Sequence, residues 1–264
     1  MNFGLVIVGD EILSGKRQDK HLPNVIELLA ARGLSLSWAR YVGDERTRIT
    51  AVLRDAFASG DAVFCCGGIG ATPDDHTRQC AAAALEVPLV LHPTAKELIL
   101  QRMRDLAREQ GVPYEPERPD NLHRLNMGVF PAGAEIVPNP YNKIAGFSVR
   151  DVHFVPGFPV MAHPMIEWLL DTRYAHLHGT HARSERSVIV TGSMEATLTP
   201  LMQDIEARFP GVKVFSLPSV DHPTLGRHIE LGVKGEAAAT EAAFAALKSG
   251  LAALGTTLGA DLVR

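Results

Sequence analysis

The first half of the chain alternates short apolar runs with longer segments of helical spacing. Phe3 to Val8 is a β-rich apolar run, and Leu22 to Ala31 then places apolar residues at helical intervals. Leu34 to Val42 alternates like a strand, Arg46 to Ala58 is amphipathic, and Ala62 to Cys66 is continuously apolar. The predicted order is therefore βαβαβ. Continuous apolar strands indicate burial on both faces, as in a parallel sheet covered by helices.

The pattern then continues with further helices and strands. Helices are predicted over Thr77 to Leu85, Thr94 to Gln110 and Val160 to Leu170, and strands over Val129 to Val137 and Val149 to Val155. A polar, proline-bearing loop is expected between the second helix and the first of these strands, over Pro113 to Asn121. Together these segments predict a mostly parallel α/β domain over residues 1–175.

A second domain is predicted over residues 183–264, because Asp171 to Arg186 contains few apolar residues. The elements expected there are strand Ser187 to Thr191, helix Ala196 to Phe209, strands Val212 to Leu217 and Leu225 to Val233, and helix Glu236 to Leu254. This βαββα order defines a small α+β domain that resembles K-homology domains in outline. It lacks their G-x-x-G phosphate clamp, so packing or dimerisation is favoured over RNA binding.

Composition and charge argue against some classes of binding partner and indicate the cellular compartment. The 264 residues are 46% hydrophobic, enough for a sizeable core, and the net charge of -4 lacks the positive field that non-specific nucleic-acid binding needs. No apolar run reaches the roughly 18 residues of a membrane span, and no basic leader precedes Phe3. We therefore expect a cytoplasmic protein with neither nucleic-acid nor membrane partners. Cys65, Cys66 and Cys80 are odd in number and are expected to be buried thiols.

A glycine-rich segment links the apolar strand ending at Cys66 to the helix beginning at Thr77. Gly67, Gly68 and Gly70 would let backbone amides approach an anion closely, and the following helix N-terminus would reinforce them, so a phosphate would fit there. A simple glycine turn before a capped helix would have the same spacing. Asp74 and Asp75 cannot attract that anion. They suit ligands of a divalent metal such as Mg²⁺, a base that positions water, or helix N-caps.

The loop after the first strand is a second candidate. Gly9 to Lys16 ends in Gly-Lys like a P-loop, but five residues separate its glycines and Arg17 replaces the Ser or Thr that would hold magnesium. A polar loop at a strand's carboxyl end is where open α/β sheets bind ligands, although an ordinary acidic surface turn would look the same. His176, His178 and His181 could bind a transition metal, yet they lie in the presumed linker with no cysteine nearby.

Several motifs together resemble one known family. In chain order they are Gly9-Asp10-Glu11-Ile12-Leu13-x-Gly15, Val42-Gly43-Asp44, Gly67-Gly68-x-Gly70-x-Thr72-Pro73-Asp74-Asp75-x-Thr77, Asn139-Pro140 with Gly146-Phe147, and Pro156-Gly157-x-Pro159. They resemble the molybdopterin-binding (MoCF, MoaB/Mog-like) domain, and most of all the amino-terminal half of the competence/damage-inducible CinA proteins. Thr191 to Glu195 looks like the start of the small second domain of that group. The chain ends before the amidase domain of full-length CinA, so deamidase activity is not expected.

The resemblance implies a three-layer α/β/α fold that binds a pterin phosphate or a nucleotide at the strand carboxyl ends. For CinA-like members it implies a metal-dependent pyrophosphatase acting on ADP-ribose, and a homodimer or other homo-oligomer. By motif, Asp44 and Asp75 are the candidate catalytic residues, and Asp74 and Asp75 the candidate metal ligands. The candidate substrate-binding residues are Gly9, Asp10, Glu11, Gly67, Gly68, Gly70, Thr72, Thr77, Asn139, Lys143 and Gly157.

The sequence also departs from the family pattern. Met161 stands where a glutamate is usual, which could weaken hydrolysis, and His21 stands where an asparagine is usual. Asn142-Lys143 replaces a Gly-Thr pair, and Lys143 could meet a phosphate or remain a solvated surface lysine. These departures favour the alternative function, a non-catalytic molybdopterin- or nucleotide-binding module.

Overall fold

The structure is a computed structural model that describes residues 1–179 and 183–263. The chain forms two compact units, Met1–His178 and Gly179–Arg264. Within the described ranges, no helix has both the length and the apolarity that crossing a bilayer requires.

The first unit contains eight strands and seven helices among its described residues. The strands are β1 (Phe3–Val8), β2 (Leu36–Val42), β3 (Ala62–Cys66), β4 (Leu89–Leu91), β5 (Val129–Pro131), β6 (Glu135–Val137), β7 (Gly146–Val149) and β8 (Val152–Val155). The helices are α1 (Asp10–Leu13), α2 (His21–Ala30), α3 (Arg46–Ser59), α4 (Thr77–Leu85), α5 (Pro93–Gln110), α6 (Pro119–Arg124) and α7 (Pro159–Thr172).

The central sheet has six strands in the order β2-β1-β3-β8-β7-β6. The four strands from β2 to β8 run parallel, whereas β7 and β6 are antiparallel additions at one edge. Strands β4 and β5 form a separate antiparallel pair. The predicted mostly parallel α/β fold is confirmed.

Apolar packing covers both faces of this sheet, which is why β1 and β3 are buried at every position. On one face, Val6 packs with Ile49 and Leu53 of α3, and on the other Leu5 packs with Met165 of α7. The three cysteines lie in or beside this core as buried free thiols, as the sequence predicted. Two cores separated by one sheet make the three-layer arrangement.

Three sequence predictions in this unit were wrong in detail. The predicted strand Val129–Val137 is two strands, because the chain turns at residues 132–134 between β5 and β6. The predicted strand Val149–Val155 is a hairpin, because Arg150 adopts a φ of 54° and reverses the chain between β7 and β8. The expected loop Pro113–Asn121 ends early, because Pro119 occupies the first turn of α6, where its missing N–H costs nothing.

The second unit is an antiparallel sheet with two helices. Its elements are β9 (Arg183–Thr191), α8 (Glu195–Arg208), β10 (Lys213–His222), β11 (Gly226–Glu236), α9 (Ala237–Ala253) and β12 (Thr257–Val263), with sheet order β10-β11-β9-β12. The predicted βαββα order omitted β12 and is corrected to βαββαβ. This strand escaped notice because only Leu258 and Leu262 are half-buried, and a register shift interrupts their alternation.

A buried polar chain crosses the apolar core of the first unit. Ser148 Oγ lies 2.7 Å from His153 Nδ1, His153 Nε2 lies 2.6 Å from the Tyr174 hydroxyl, and that hydroxyl donates to Asp151 Oδ1 at 3.0 Å. A carboxylate only accepts, so Tyr174 accepts from His153 Nε2–H, and His153 Nδ1 accepts from Ser148. Burial lowers the pKa of His153 to about 3, so the ring is neutral.

The substitution Tyr174→Phe is expected to destabilise the protein by about 1–3 kcal/mol, because it leaves the buried His153 Nε2–H without an acceptor. Urea unfolding at neutral pH measures the loss. Tyr141→Phe is the matched control, because its ring is 61% exposed, and we expect its free energy of unfolding to stay within about 0.5 kcal/mol of wild type. Equal effects of the two changes would contradict a structural role for the polar chain.

Candidate functional site

The carboxyl ends of four neighbouring strands meet at one edge of the central sheet. Gly9, directly after β1, donates its N–H to the Val42 carbonyl at the end of β2, at 3.0 Å. Gly67, directly after β3, donates to the Val155 carbonyl at the end of β8, also at 3.0 Å. The loops that follow these strands are therefore adjacent, as the sequence predicted for a ligand site at this edge.

At Gly67 the backbone closely approaches the ends of the neighbouring strands. Its φ is 105°, and a Cβ placed there would lie 2.3 Å from the Val8 carbonyl oxygen. On the other side, a Cβ at Gly157 would lie 3.4 Å from the Cα of Gly67. The loops after β1, β3 and β8 therefore pack with no room for a side chain at position 67.

Thr77 fixes the glycine loop from the first turn of α4. Its backbone N–H donates to the Gly68 carbonyl and its hydroxyl donates to the Gly67 carbonyl, each at 3.0 Å, and the residue is fully buried. The backbone N–H groups of residues 68–71 donate to no other group in the described part of the chain. Successive unpaired amides of this kind form an anion-binding concavity, although the hydroxyl of Thr77 itself is committed to the loop.

Two acidic loops hold each other through reciprocal hydrogen bonds. Asp44 Oδ2 accepts from the backbone N–H of Asp10 at 3.0 Å, and Asp10 Oδ1 accepts from the backbone N–H of Asp44 at 3.3 Å. These bonds join the loop after β1 to the loop after β2. Each carboxylate keeps its second oxygen outside the pair.

A cavity of about 670 Å³ opens beside this pair, and we call it the carboxylate cavity. It is lined by Asp10, Glu11, Leu13, Ser14, Lys16, Asp44 and Asp74. The pKa of Asp44 is raised, first by burial and further by the charges of Asp10, Glu11 and Asp74, while the hydrogen bond from Asp10 opposes the rise. Four carboxylates in one cavity create a negative potential that a cation would relieve.

The neighbouring residues Asp74 and Asp75 line different cavities. Asp74 lines the carboxylate cavity, whereas Asp75 lines a second cavity. Asp75 Oδ2 accepts from the backbone N–H of Thr72 at 2.8 Å and from its hydroxyl at 2.5 Å, so this carboxylate closes the 72–75 turn. Helix α4 has His76 at its N-cap with no side-chain bond, so neither aspartate caps it.

The second cavity has a volume of about 520 Å³, and we call it the arginine cavity. Its polar lining residues include Arg46, Thr72, Asp75, His76, Arg78 and His123. Arg46, Arg78 and His123 were not among the residues that the sequence predicted for the site. The sequence could have indicated two of them, because Arg46 lies two residues after the motif residue Asp44 and Arg78 directly follows the motif residue Thr77. Nothing in the sequence relates His123 to this loop.

The Asn-Pro turn lies apart from both cavities. Asn139 uses its amide to hold the turn: Nδ2 donates to Asn142 Oδ1 and to the Ile144 carbonyl, each at 2.9 Å. Lys143 Nζ pairs with Asp105 Oδ2 at 2.7 Å. Asn142 Nδ2 also reaches the Met161 sulfur at 3.5 Å, so two departures from the family pattern touch each other. Met161 lines neither the carboxylate cavity nor the arginine cavity.

Two of the histidines singled out by the sequence, His21 and His178, have structural contacts, whereas His176 is exposed. His21 is buried and its Nε2 lies 3.1 Å from the Gly157 carbonyl, tying α2 to the loop after β8. Burial lowers the pKa of His21. His178 Nε2 lies 3.0 Å from the Leu170 carbonyl, and His181 is outside the described residues.

The donor set of the carboxylate cavity suits a hard divalent cation, because Mg²⁺ prefers carboxylate oxygens. No group of three or more His, Cys, Asp or Glu side chains in residues 1–179 and 183–263 is close enough to hold a metal ion by itself. Mg²⁺ commonly binds through one or two carboxylates, with water and substrate phosphates completing its shell. The residues therefore fit a cation that binds together with a phosphate ligand.

Comparison with known proteins defines the class of this fold and site. A family model described as a probable molybdopterin binding domain matches residues 4–176. The chain belongs to the molybdopterin-binding domain family. The crystal structure of the protein CinA from Thermoplasma acidophilum has the same fold, with a TM-score of 0.54 at 23% identity, over 65% of this chain and 98% of that one.

Within that class the chain is similar to CinA-like proteins. A CinA-like protein from Anaeromyxobacter dehalogenans (strain 2CP-C) is 29% identical over 256 residues, which cover 89% of this chain and 60% of the relative. A protein from Pyrobaculum calidifontis is 30% identical over 255 residues, 92% of each chain. This chain spans 40–60% of the length of four CinA-like relatives from Anaeromyxobacter.

We expect Gly68→Ala to destabilise the protein more than Gly60→Ala does. Both glycines have left-handed backbones, with φ of 68° and 70°, so both changes carry the same conformational strain of about 1–2 kcal/mol. A Cβ at Gly68 would also lie 2.2 Å from Thr77 Oγ1, whereas a Cβ at Gly60 meets nothing within 4 Å. Urea unfolding should show an extra loss of about 1–3 kcal/mol for Gly68→Ala, and equal losses would mean that Thr77 does not brace the loop.

The raised pKa of Asp44 predicts a stability that depends on pH. A carboxyl with a higher pKa in the folded than in the unfolded chain destabilises the fold when it is ionised, and this effect fades as the pH falls toward the ordinary value of 3.8. Asp44→Asn should therefore raise the free energy of unfolding at pH 7, by less than about 1 kcal/mol because the site is partly solvated.

The increase in the free energy of unfolding caused by Asp44→Asn should shrink as the pH is lowered toward 4, and chemical unfolding experiments measure this trend. Asp221→Asn is the control, because Asp221 is exposed in the second unit, and it should show no such trend. A gain at Asp44 that grows as the pH falls would contradict the raised pKa of its carboxyl.

Proposed function

We propose that the protein is a metal-dependent pyrophosphatase that hydrolyses ADP-ribose, or a similar nucleotide pyrophosphate, to AMP and a sugar phosphate. The observation that carries this proposal is the position of the carboxylate cavity beside the glycine loop, at the same edge of the sheet. A phosphate ligand and a cation would meet at this edge. The similarity to CinA-like proteins supports the choice of substrate, and membership of the molybdopterin-binding family supports a small phosphate-bearing ligand.

The glycine loop would bind the pyrophosphate. The unpaired amides of residues 68–71 donate hydrogen bonds to phosphate oxygens, and Thr77 keeps them oriented before the ligand arrives. Donors that are fixed in advance stabilise charge developing in a transition state without reorganising. In this arrangement the chain contributes orientation and electrostatic stabilisation.

Asp44 and Asp74 are the side chains of the carboxylate cavity that would hold Mg²⁺ or a similar ion. That ion, when bound, neutralises charge on the phosphate oxygens. Asp10 and Glu11 add to the negative potential of the same cavity and would contact ribose hydroxyls. Lys16, in the same lining, is a cation that would pair with an oxygen of the pyrophosphate.

Asp75 would orient the attacking water. Its Oδ2 is held by Thr72, while its Oδ1 accepts no hydrogen bond from the described residues and lies against Gly70, where an added Cβ would be 3.1 Å away. Water oxygen forms a bond to one phosphorus, the bond from that phosphorus to the bridging oxygen breaks, and the water proton passes to Asp75. The bridging oxygen leaves on the second phosphate.

A non-catalytic module that binds molybdopterin or a nucleotide is the second candidate. The observation that favours it is the lack of three converging metal ligands in the part of the chain that the structure describes. The presence of Met161 in place of the usual glutamate supports the binding module less than the sequence suggested, because Met161 lies outside the carboxylate cavity. The two-fold dimer and the cytoplasmic location stay predictions.

Release of AMP decides between the two. With Mg²⁺, Mn²⁺ or Co²⁺ and ADP-ribose, FAD or NAD, we expect AMP from the wild-type protein. Asp75→Asn should lower turnover by about 10²-fold or more, because it removes the base that orients water, while nucleotide binding persists.

Asp221→Asn should keep wild-type turnover, because this exposed residue belongs to the second unit. Wild-type turnover in Asp75→Asn would exclude Asp75 from the reaction. Binding of AMP or molybdopterin in a thermal-shift assay, without release of AMP from any of the three substrates, would replace the pyrophosphatase by the binding module.

A further inference from the structure

The arginine cavity contains charged groups that the proposed hydrolysis does not use. Arg46 lies in the first turn of α3, and Arg78 in the first turn of α4. The cavity also includes Asp75, whose Oδ2 is already held by Thr72. Two guanidinium groups and one carboxylate leave a net charge of about +1 from these three residues.

Arg78 is buried without enough partners for its charge. Only 4% of the residue is exposed. Its Nη2 donates to the Gly70 carbonyl, and its Nε has no partner. A guanidinium carries five N–H donors, and burying a charge that is incompletely hydrogen-bonded is costly. Burial lowers the pKa of Arg78, with the charge of Asp75 opposing the change.

Arg46 supplies a second cation at the mouth of the same cavity. Its side chain is exposed and forms no ion pair among the described residues, whereas the neighbouring Arg48 pairs with Glu45 at 2.6 Å. The Arg46 carbonyl accepts from the Thr50 hydroxyl at 2.7 Å, which fixes the backbone at this point of the helix. A fixed backbone with an unpaired guanidinium suits recognition of a ligand oxyanion.

His123 forms a wall of the cavity. Its Nδ1 lies 3.3 Å from the side-chain amide nitrogen of Asn126, and its Nε2 lies 3.0 Å from the Ala71 carbonyl. An amide nitrogen donates and a carbonyl accepts, so Nδ1 accepts from Asn126 and Nε2–H donates to the Ala71 carbonyl. The contact with Ala71 ties α6 to the glycine loop and closes one side of the cavity.

We propose that the arginine cavity binds an oxyanion, a phosphate or a carboxylate carried by a small organic molecule, through the guanidinium groups of Arg46 and Arg78. The volume of about 520 Å³ exceeds what an inorganic ion fills and lies within the range of small-molecule pockets. Leu89 and Val129 offer an apolar wall for the organic part. The site needs neither a metal nor hydrolysis.

The test is an NMR titration of the ¹⁵N-labelled protein, without divalent metal, with inorganic phosphate and separately with acetate at constant ionic strength. We expect saturable shifts at Arg46, Thr72 and Arg78 with at least one of the two ions. The ion that gives the lower dissociation constant identifies the oxyanion class. No saturable shift at these residues with either ion would overturn the proposal.

Charge variants make the titration specific. Arg46→Gln should weaken binding at least about tenfold, whereas Arg54→Gln, which removes the same charge from an exposed position of the same helix outside the cavity, should leave it unchanged. Asp75→Asn should tighten binding, because it removes the opposing charge. Equal losses of affinity in both arginine variants would mean that the anion is attracted by net charge and not bound at Arg46, and this would overturn the proposal.

The result is distinguishable from failure of the pyrophosphatase proposal. Phosphate bound at the glycine amides alone would shift residues 68–70, which do not line the arginine cavity, and would be insensitive to Arg46→Gln. That outcome would overturn the arginine site and leave the glycine loop intact. Absence of AMP release, in turn, has no bearing on this metal-free titration.

Discussion

The site depends on one close approach, that of the backbone at Gly67 to the carbonyl of Val8. Three strand ends share this point, because Gly67 bonds to Val155 on one side and faces Val8 and Gly157 on the others. Any side chain here would force the loops after β1, β3 and β8 apart. The carboxylate cavity is assembled from two of those loops and the loop after β2, so its geometry follows from the absence of a single Cβ.

The sequence predicted the fold where burial leaves a clear pattern. β1 and β3 are continuously apolar because both of their faces are covered, and that pattern needs no tertiary information. The hairpin at Arg150 was missed because β7 and β8 are both buried and only two residues, Arg150 with its positive φ and Asp151, separate them. β12 was missed for the opposite reason, since it is too exposed to alternate clearly.

The site was predicted as a set of residues but not as an arrangement. The motifs located Asp10, Asp44 and Asp74, and the parallel sheet explains why loops far apart in sequence meet. Their spacing could not show that Asp74 and Asp75, one peptide apart, line separate cavities. That separation arises from the turn in which Asp75 accepts a hydrogen bond from Thr72. The contact of the buried Arg78 with the Gly70 carbonyl is likewise visible only in the folded structure.

The buried polar chain through His153 has a consequence for how the β7–β8 hairpin pairs. Both faces of this hairpin are apolar, so hydrophobicity alone would tolerate a slip of the two strands. Ser148 lies directly opposite His153, and a slip would separate the hydroxyl from the ring and leave both buried and unpaired. In a sheet whose two sides are equally apolar, strand alignment is specified by a single line of polar atoms. The pairing of β7 with β8 is therefore specified by the few polar side chains of the core and not by its apolar majority.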